Sequence, residues 1–423
     1  MTPEAVLQQV GATAALEDVR RGWDASMAAL PADGPEFLRD ACWQEYSRCC
    51  GFGADLDAAL GRVASTVRGH PALLRLAWHC YWRVFLSPEP CPPNAWPEPV
   101  ALLGAEEAGL FYVLVGLAFV PLMQQRHREW GFPETVTRQT AQQVSRYCQD
   151  TYRRGNDGRP GLYIGQLGWL RHYTRERYVR LGRLEYWLGP NPYRLEVYRH
   201  RRSRQVVALA PDGTHFAADG TIYRDAADYR EGEGWTAAIR RDESTVSGLL
   251  VDPNGRGTRQ CVTLPLADWA CTLQHGDHCL MLHIPSGGAM DADACRQSLA
   301  EAASFFKRHF PRELPLAVVC TSWIFSPQLL EIFPPEANLC RFQRNLFLFP
   351  VPSAPWDGLW FVFLKQGPLN LDTAPAETSL QRGILDYLKR GHRWRLAGMF
   401  FLLDDVPAFG SEPYRSQWPP PIF

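Results

Sequence analysis

The chain has 423 residues, 46% of them hydrophobic and 21% charged, and a formal net charge of -1 at pH 7. That balance offers no pull toward nucleic acid or another polyanion, and the length allows two or three domains with full cores. Its 12 cysteines are scattered without Cys-x-x-Cys pairs, and its start, "MTPEAVLQQVGATAALEDV", lacks a basic region and an apolar one, so a reduced, cytoplasmic protein without a secretory signal is expected.

The early part of the chain reads as helical. "PALLRLAWHCYWRVFL" places Leu74, Trp78, Tyr81 and Phe85 at spacings of 4, 3 and 4, one face of a helix. "GLFYVLVGLAFVPLM" (Gly109–Met123) is apolar over 15 residues. A membrane span needs about 20, so a buried helix is expected and no membrane partner. "ETVTRQTAQQVSRYCQDTYRR" continues the helical style to Arg154 and stops at "GNDGRPG" (Gly155–Gly161). Such a Gly/Asn/Asp/Pro cluster marks a boundary.

Short beta-prone runs follow. "YRLEVYRH", "RQVVALA", "PDGT", "ADGT" and "DPNG" predict an antiparallel meander from about Tyr178 to Thr263, with "RHRRSRQ" (Arg199–Gln205) as a solvated hairpin tip. Strands and helices then alternate. Cys279–Ile284 is a strand that Pro285 ends, because proline cannot donate to a ladder. Asp291 caps a helix whose buried stripe is Cys295, Leu299, Ala302 and Phe306. "LAVVCTSWIF" (Leu316–Phe325) is a central strand, followed by a short helix that Ser326 and Pro327 open. "GLWFVFLK" is a further strand. "TSLQRGILDYLKRG" is a helix with Leu380, Ile384 and Tyr387 on one face, closed by Gly391. The expected architecture is a helical domain, residues 1–154, followed by an α/β domain with a mixed sheet, residues 155–423.

Several residues stand out chemically. Ser286, Gly287 and Gly288 form a turn that lets backbone approach a ligand, just ahead of a helix N-terminus that attracts anions. Asp291 and Asp293 already supply acceptors and negative charge there, so an ordinary capped helix and a phosphate cradle both fit. His283, at the end of the strand, is a candidate base or a core histidine held by backbone. Glu185 sits among apolar strand residues: turned inward, its pKa rises; turned outward, it pairs with Arg183. Cys320 and Ser322 alternate onto one face of the central strand, as acid, ligand contact, nucleophile or plain core. "HGDHC" (His275–Cys279) has two histidines about a turn but no second ligand cluster, so no metal is expected. Trp169, Trp187, Trp323 and Trp360 belong to a core or an aromatic pocket wall.

Five stretches carry a resemblance. "GLFYVLVGLAFVPLMQQRHREWGFPETV", "GLYIGQLGWLRHYTRERYVRLGRLEYW", "GDHCLMLHIPSGGAMDADACRQSLAEAASFFKRHFP", "VVCTSWIFSPQLLEIFPPEANLCRFQRNLFLF" and "TSLQRGILDYLKRG" resemble a bacterial family of two-domain acyltransferase-like proteins. In that family a helical N-acyltransferase N-terminal domain precedes a GNAT-like C-terminal domain. The resemblance implies an acyl-CoA co-substrate lying between two splayed strands, here Cys279–Ile284 and Leu316–Phe325. It implies a pyrophosphate on the loop that carries Ile284, Ser286, Gly287, Gly288 and Ala289. Gly287 and Ala289 fall in register with the GNAT loop pattern Gln/Arg-x-x-Gly-x-Gly/Ala, whereas Ile284 stands where the pattern has Gln or Arg. The implied activity is N-acylation of a small amine, with His283, Cys320, Ser322 and Glu185 as the candidate reacting groups. A non-catalytic module of the same shape, binding a small molecule or a protein, is the alternative. A hydrolase built on Cys320 and His283 is a third reading without a recognised nucleophile signature.

Overall fold

The helical periodicity of the first part is realised in the computed structural model, which describes residues 1–88, 96, 98–230, 232–365 and 367–420. Pro71 opens α1 (Pro71–Tyr81), where its missing N–H leaves no bond unmade. Leu73, Leu76, Ala77, Trp78 and Cys80 are buried, and the Trp78 indole donates to the Ser26 carbonyl at 2.6 Å. The apolar run Gly109–Met123 gives α2 (Leu110–Leu117), buried at every position, and the start of α3 (Phe119–Glu129). Neighbours surround α2, among them α1 and the helix Ala54–Gly69, which is why it has no polar face. Among the described residues no single helix is long and apolar enough to cross a membrane.

The segment from Glu134 is helical but interrupted. α4 (Glu134–Ala141) yields to a short helix, Gln143–Arg146, and then to a π-helical stretch, Tyr147–Tyr152. Wide turns of this kind recur at functional positions because they re-aim side chains. The chain continues through the Gly155–Gly161 turn into two short helices, Ile164–Trp169 and His172–Arg175, and into β1 (Tyr178–Leu181). All of this forms one unit, Met1–Leu181, which also takes in Glu185–Trp187 and Ile284–Gly288.

The second unit comprises Gly182–Leu184, Leu188–His283 and the chain from Ala289 onward. The predicted meander is a six-stranded antiparallel sheet built from Glu196–His200, Val206–Leu209, Arg240–Arg241, Thr245–Asp252, Arg256–Pro265 and Trp269–Leu273. The principal sheet uses β2 (Leu184–Pro190), β3 (His278–His283), β4 (Ala317–Ser322), β5 (Phe347–Pro350) and β6 (Ala397–Leu402). With β1 at the β2 edge, the spatial order of the six strands is β1-β2-β3-β4-β6-β5. The sheet is mixed: β3 and β4 run parallel, while β6 is antiparallel to both β4 and β5. Between β3 and β4 lies α5 (Ala292–His309), capped by Asp291, whose carboxylate accepts from the Ala294 N–H at 2.9 Å. Its buried stripe includes Cys295, Leu299, Ala302 and Phe306, as the spacing predicts. α6 (Ser379–Lys389) buries Ile384 and Tyr387, with Leu380 half-buried and Gly391 left-handed beyond its end at φ 82°.

Three local expectations are corrected. "GLWFVFLK" is not a strand but one helical turn, Trp360–Phe363, ended by Leu364 in the left-handed region at φ 54°. Gly358, at φ 74°, brings the chain so close to Trp323 that a Cβ would meet that side chain at 2.5 Å, so the backbone turns there instead of extending. The Leu316–Phe325 strand stops at Ser322, because the Ser322 hydroxyl accepts from the Ile324 N–H at 3.4 Å and starts a helical turn, Trp323–Phe325. The helix placed after Ser326 and Pro327 is Leu329–Ile332; the Ser326 hydroxyl donates to the Gln328 side chain at 2.6 Å and does not act as its cap.

Candidate active site

The ladder between β3 and β4 is shorter than the strands that form it. Along β3 and β4, Cys279 pairs with Ala317, Leu280 with Val318 and Met281 with Val319, and there the register ends. Both strands run on, β3 to His283 and β4 to Ser322. β4 stays paired with β6 throughout, down to Ser322 opposite Ala397, so β3 is the strand that parts. A gap between two strands exposes backbone that an extended ligand can pair with.

Register also decides which side chains share a face. Partners in a parallel ladder point the same way and successive residues alternate. His283 therefore lies on the face of Met281, Val319 and Thr321, while Leu282, Cys320 and Ser322 lie on the other. The candidate pair His283 and Cys320 stands on neighbouring strands but on opposite faces of the sheet. His283 is half-buried. Burial pushes the Cys320 thiol up to about 12, which disfavours the thiolate that a nucleophile needs. Ser322 is occupied as the cap of the Trp323–Phe325 turn.

Two residues on the His283 side carry no mark in the sequence that singles them out. The Tyr193 and Thr321 hydroxyls are 2.7 Å apart, and the Tyr193 ring meets Phe349 edge-on at 4.9 Å. Burial, and then the neighbouring Cys320, push the Tyr193 phenol above its ordinary value, so it stays protonated and able to donate. Thr321 is legible only as the alternate neighbour of Val319. Tyr193, in the turn "NPY" far from β4 in sequence, has no such signal.

The loop after β3 has the shape of a cradle. Ile284 and Ser286 are half-buried, Pro285 is buried, and Gly287, Gly288 and Ala289 are exposed. Gly287 and Gly288 have φ of 80° and 82°, values at which any side chain is strained. The Ser286 hydroxyl accepts from Thr151, on the π-helical stretch, at 3.2 Å. A Cβ on Gly287 would lie 3.4 Å from the Arg146 guanidinium. The Ala289 carbonyl accepts from Arg183 Nε at 3.1 Å, so Arg183 is not the partner of Glu185.

Glu185 turns inward and is fully buried. Its Oε2 accepts from Tyr173 at 2.6 Å and from Tyr178 at 3.0 Å, and its Oε1 lies 3.5 Å from Arg180 Nη1. Burial, and then the Glu185 charge, push both phenols well up. Of the four tryptophans, Trp187 and Trp169 come together edge-on at 6.0 Å, with Trp187 stacked on Tyr178 at 5.2 Å. Trp323 packs elsewhere, against the cluster around Leu329 and Ile384. Among the described residues no group of three or more His, Cys, Asp or Glu side chains is placed to hold a metal ion.

Residues 178–400 match the family model described as a GNAT-like C-terminal domain, and residues 48–175 match that of an N-acyltransferase N-terminal domain. Solved structures with the same fold include an acyltransferase in complex with CoA and 10C-teicoplanin and one in complex with decanoyl-CoA and teicoplanin. For each of these two the identity is 23% and the TM-score 0.59, over 95% of this chain and 100% of theirs. A further acyltransferase structure, in complex with decanoyl-CoA, is 21% identical with a TM-score of 0.56, over 95% of this chain and 99% of its own. No curated protein matches the chain.

Proposed function

Because the chain belongs to the acyltransferase family with a GNAT-like C-terminal domain (residues 178–400) behind an N-acyltransferase N-terminal domain (residues 48–175), we propose that it transfers an acyl group from an acyl-CoA to a small amine. The observation that carries this reading is the end of the β3–β4 ladder at Met281 and Val319, with both strands continuing. An extended pantetheine arm fits such a gap by pairing with β3 as a further strand would. The solved acyltransferases bound to CoA or decanoyl-CoA support the choice of donor, and those bound to teicoplanin support a small-molecule acceptor.

In the proposed reaction the amine nitrogen attacks the thioester carbonyl carbon, the C–S bond breaks, and the amide forms. The proton lost by nitrogen goes to His283, directly or through one water, and the departing sulfur takes a proton from a donor. Tyr193 and Thr321 lie on the His283 face and are suited to be that donor. Backbone N–H groups at the gap would polarise the carbonyl. Ile284, in place of Gln or Arg, favours the alternative of a non-catalytic binding module. Calorimetry on the full chain separates the two: CoA and decanoyl-CoA are expected to give saturable binding curves. Silence across a panel of acyl-CoAs would overturn the transferase and leave the module.

A further inference from the structure

We propose that Arg146 is the cation that seats the pyrophosphate of coenzyme A on the Gly287–Gly288 turn, in place of the Gln or Arg that Ile284 replaces. The proposal rests on the acyl-CoA reading and adds a binding residue from a distant part of the chain. Geometry carries it. Arg146 Nη1 lies 3.4 Å from where a Gly287 side chain would begin, so a cation stands beside the bare backbone of the turn. Arg146 Nε is buried and makes no hydrogen bond among the described residues. A buried donor without an acceptor is costly, and the guanidinium that carries it presents Nη1 to the turn.

The charges around Arg146 leave one guanidinium in excess. Arg180 and Glu185 stand together at 3.5 Å, and Asp150 is paired with Arg154 at 3.4 Å. Burial, and then Arg180, lower the Arg146 pKa from its ordinary value, and a phosphate beside it would act in the opposite direction. The turn is fixed for the purpose by the Thr151–Ser286 hydrogen bond, and its two glycines let the phosphate oxygens approach backbone N–H groups. Arginine suits a pyrophosphate because its planar fork can donate to two oxygens at once.

The test compares decanoyl-CoA with decanoyl-pantetheine, which keeps the acyl chain and the arm but lacks every phosphate, by calorimetry on the full chain. Arg146→Gln is expected to weaken decanoyl-CoA by about 10–100-fold, the scale of a lost charge-assisted hydrogen bond, and to leave decanoyl-pantetheine unchanged. Arg146→Lys is expected to recover part of the loss. In the wild type, inorganic pyrophosphate is expected to compete with decanoyl-CoA and not with decanoyl-pantetheine, a readout that needs no variant to fold. Equal weakening of both ligands in Arg146→Gln, no weakening of either, or pyrophosphate competition with both or with neither would overturn the assignment. If the wild type does not bind decanoyl-CoA at all, the acyl-CoA reading itself has failed.

Discussion

Glu185→Ala is expected to cost the chain about 3–5 kcal/mol of stability, the usual result of removing one member of a buried ion pair. Glu185 is fully buried, and Arg180, its partner, is only 5% exposed. Alanine would remove the carboxylate that lies beside that guanidinium and would strip the Tyr173 and Tyr178 hydroxyls of the oxygen they share. Each orphaned buried donor adds its own desolvation cost. A domain has a total stability of about 5–15 kcal/mol, so the loss would be visible as a large fall in the urea midpoint followed by circular dichroism. Glu185→Gln, which keeps an acceptor for the tyrosines and loses only the charge, is expected to fall by less. An unchanged midpoint in Glu185→Ala would mean that the cluster does not hold this part of the fold together.

His283→Ala is expected to lower turnover about a hundredfold at neutral pH, the scale on which a general base contributes. Imidazole is the side chain whose ordinary pKa lies nearest neutrality, and His283 is placed where β3 leaves β4, two residues beyond the last pair. The readout is release of free thiol from decanoyl-CoA with a panel of small primary amines and teicoplanin as acceptors. Affinity for decanoyl-CoA should stay as it was, because the imidazole acts on the amine and not on the coenzyme. Cys320→Ala, on the opposite face, should retain turnover. Full activity in His283→Ala, or its loss in Cys320→Ala, would reverse the assignment of faces.

What the sequence makes legible is local. Pro285, the paired glycines and Asp291 each act within a few residues, so the strand, the turn and the capped helix can be read from those residues alone. The same holds for the stripe from Cys295 to Phe306. Orientation is not legible in the same way. Alternation places Glu185 on one side of β2 but does not say which side is inside; that depends on Tyr173, Tyr178 and Arg180 arriving from β1 and the helix before it. The opposed faces of His283 and Cys320 follow from the register between two strands separated by an entire helix, which no single stretch encodes. Tyr193 meets Thr321 only through the folded chain. "GLWFVFLK" misleads because a short apolar run fits a strand and a buried helical turn equally well, and Gly358 against Trp323 decides the matter at long range.

A crystal structure of the chain with decanoyl-CoA would decide whether the parted strands are the coenzyme site. The pantetheine arm is expected to lie between β3 and β4 beyond Met281, its amides paired with β3. Coenzyme bound elsewhere, with that gap closed or empty, would contradict the assignment.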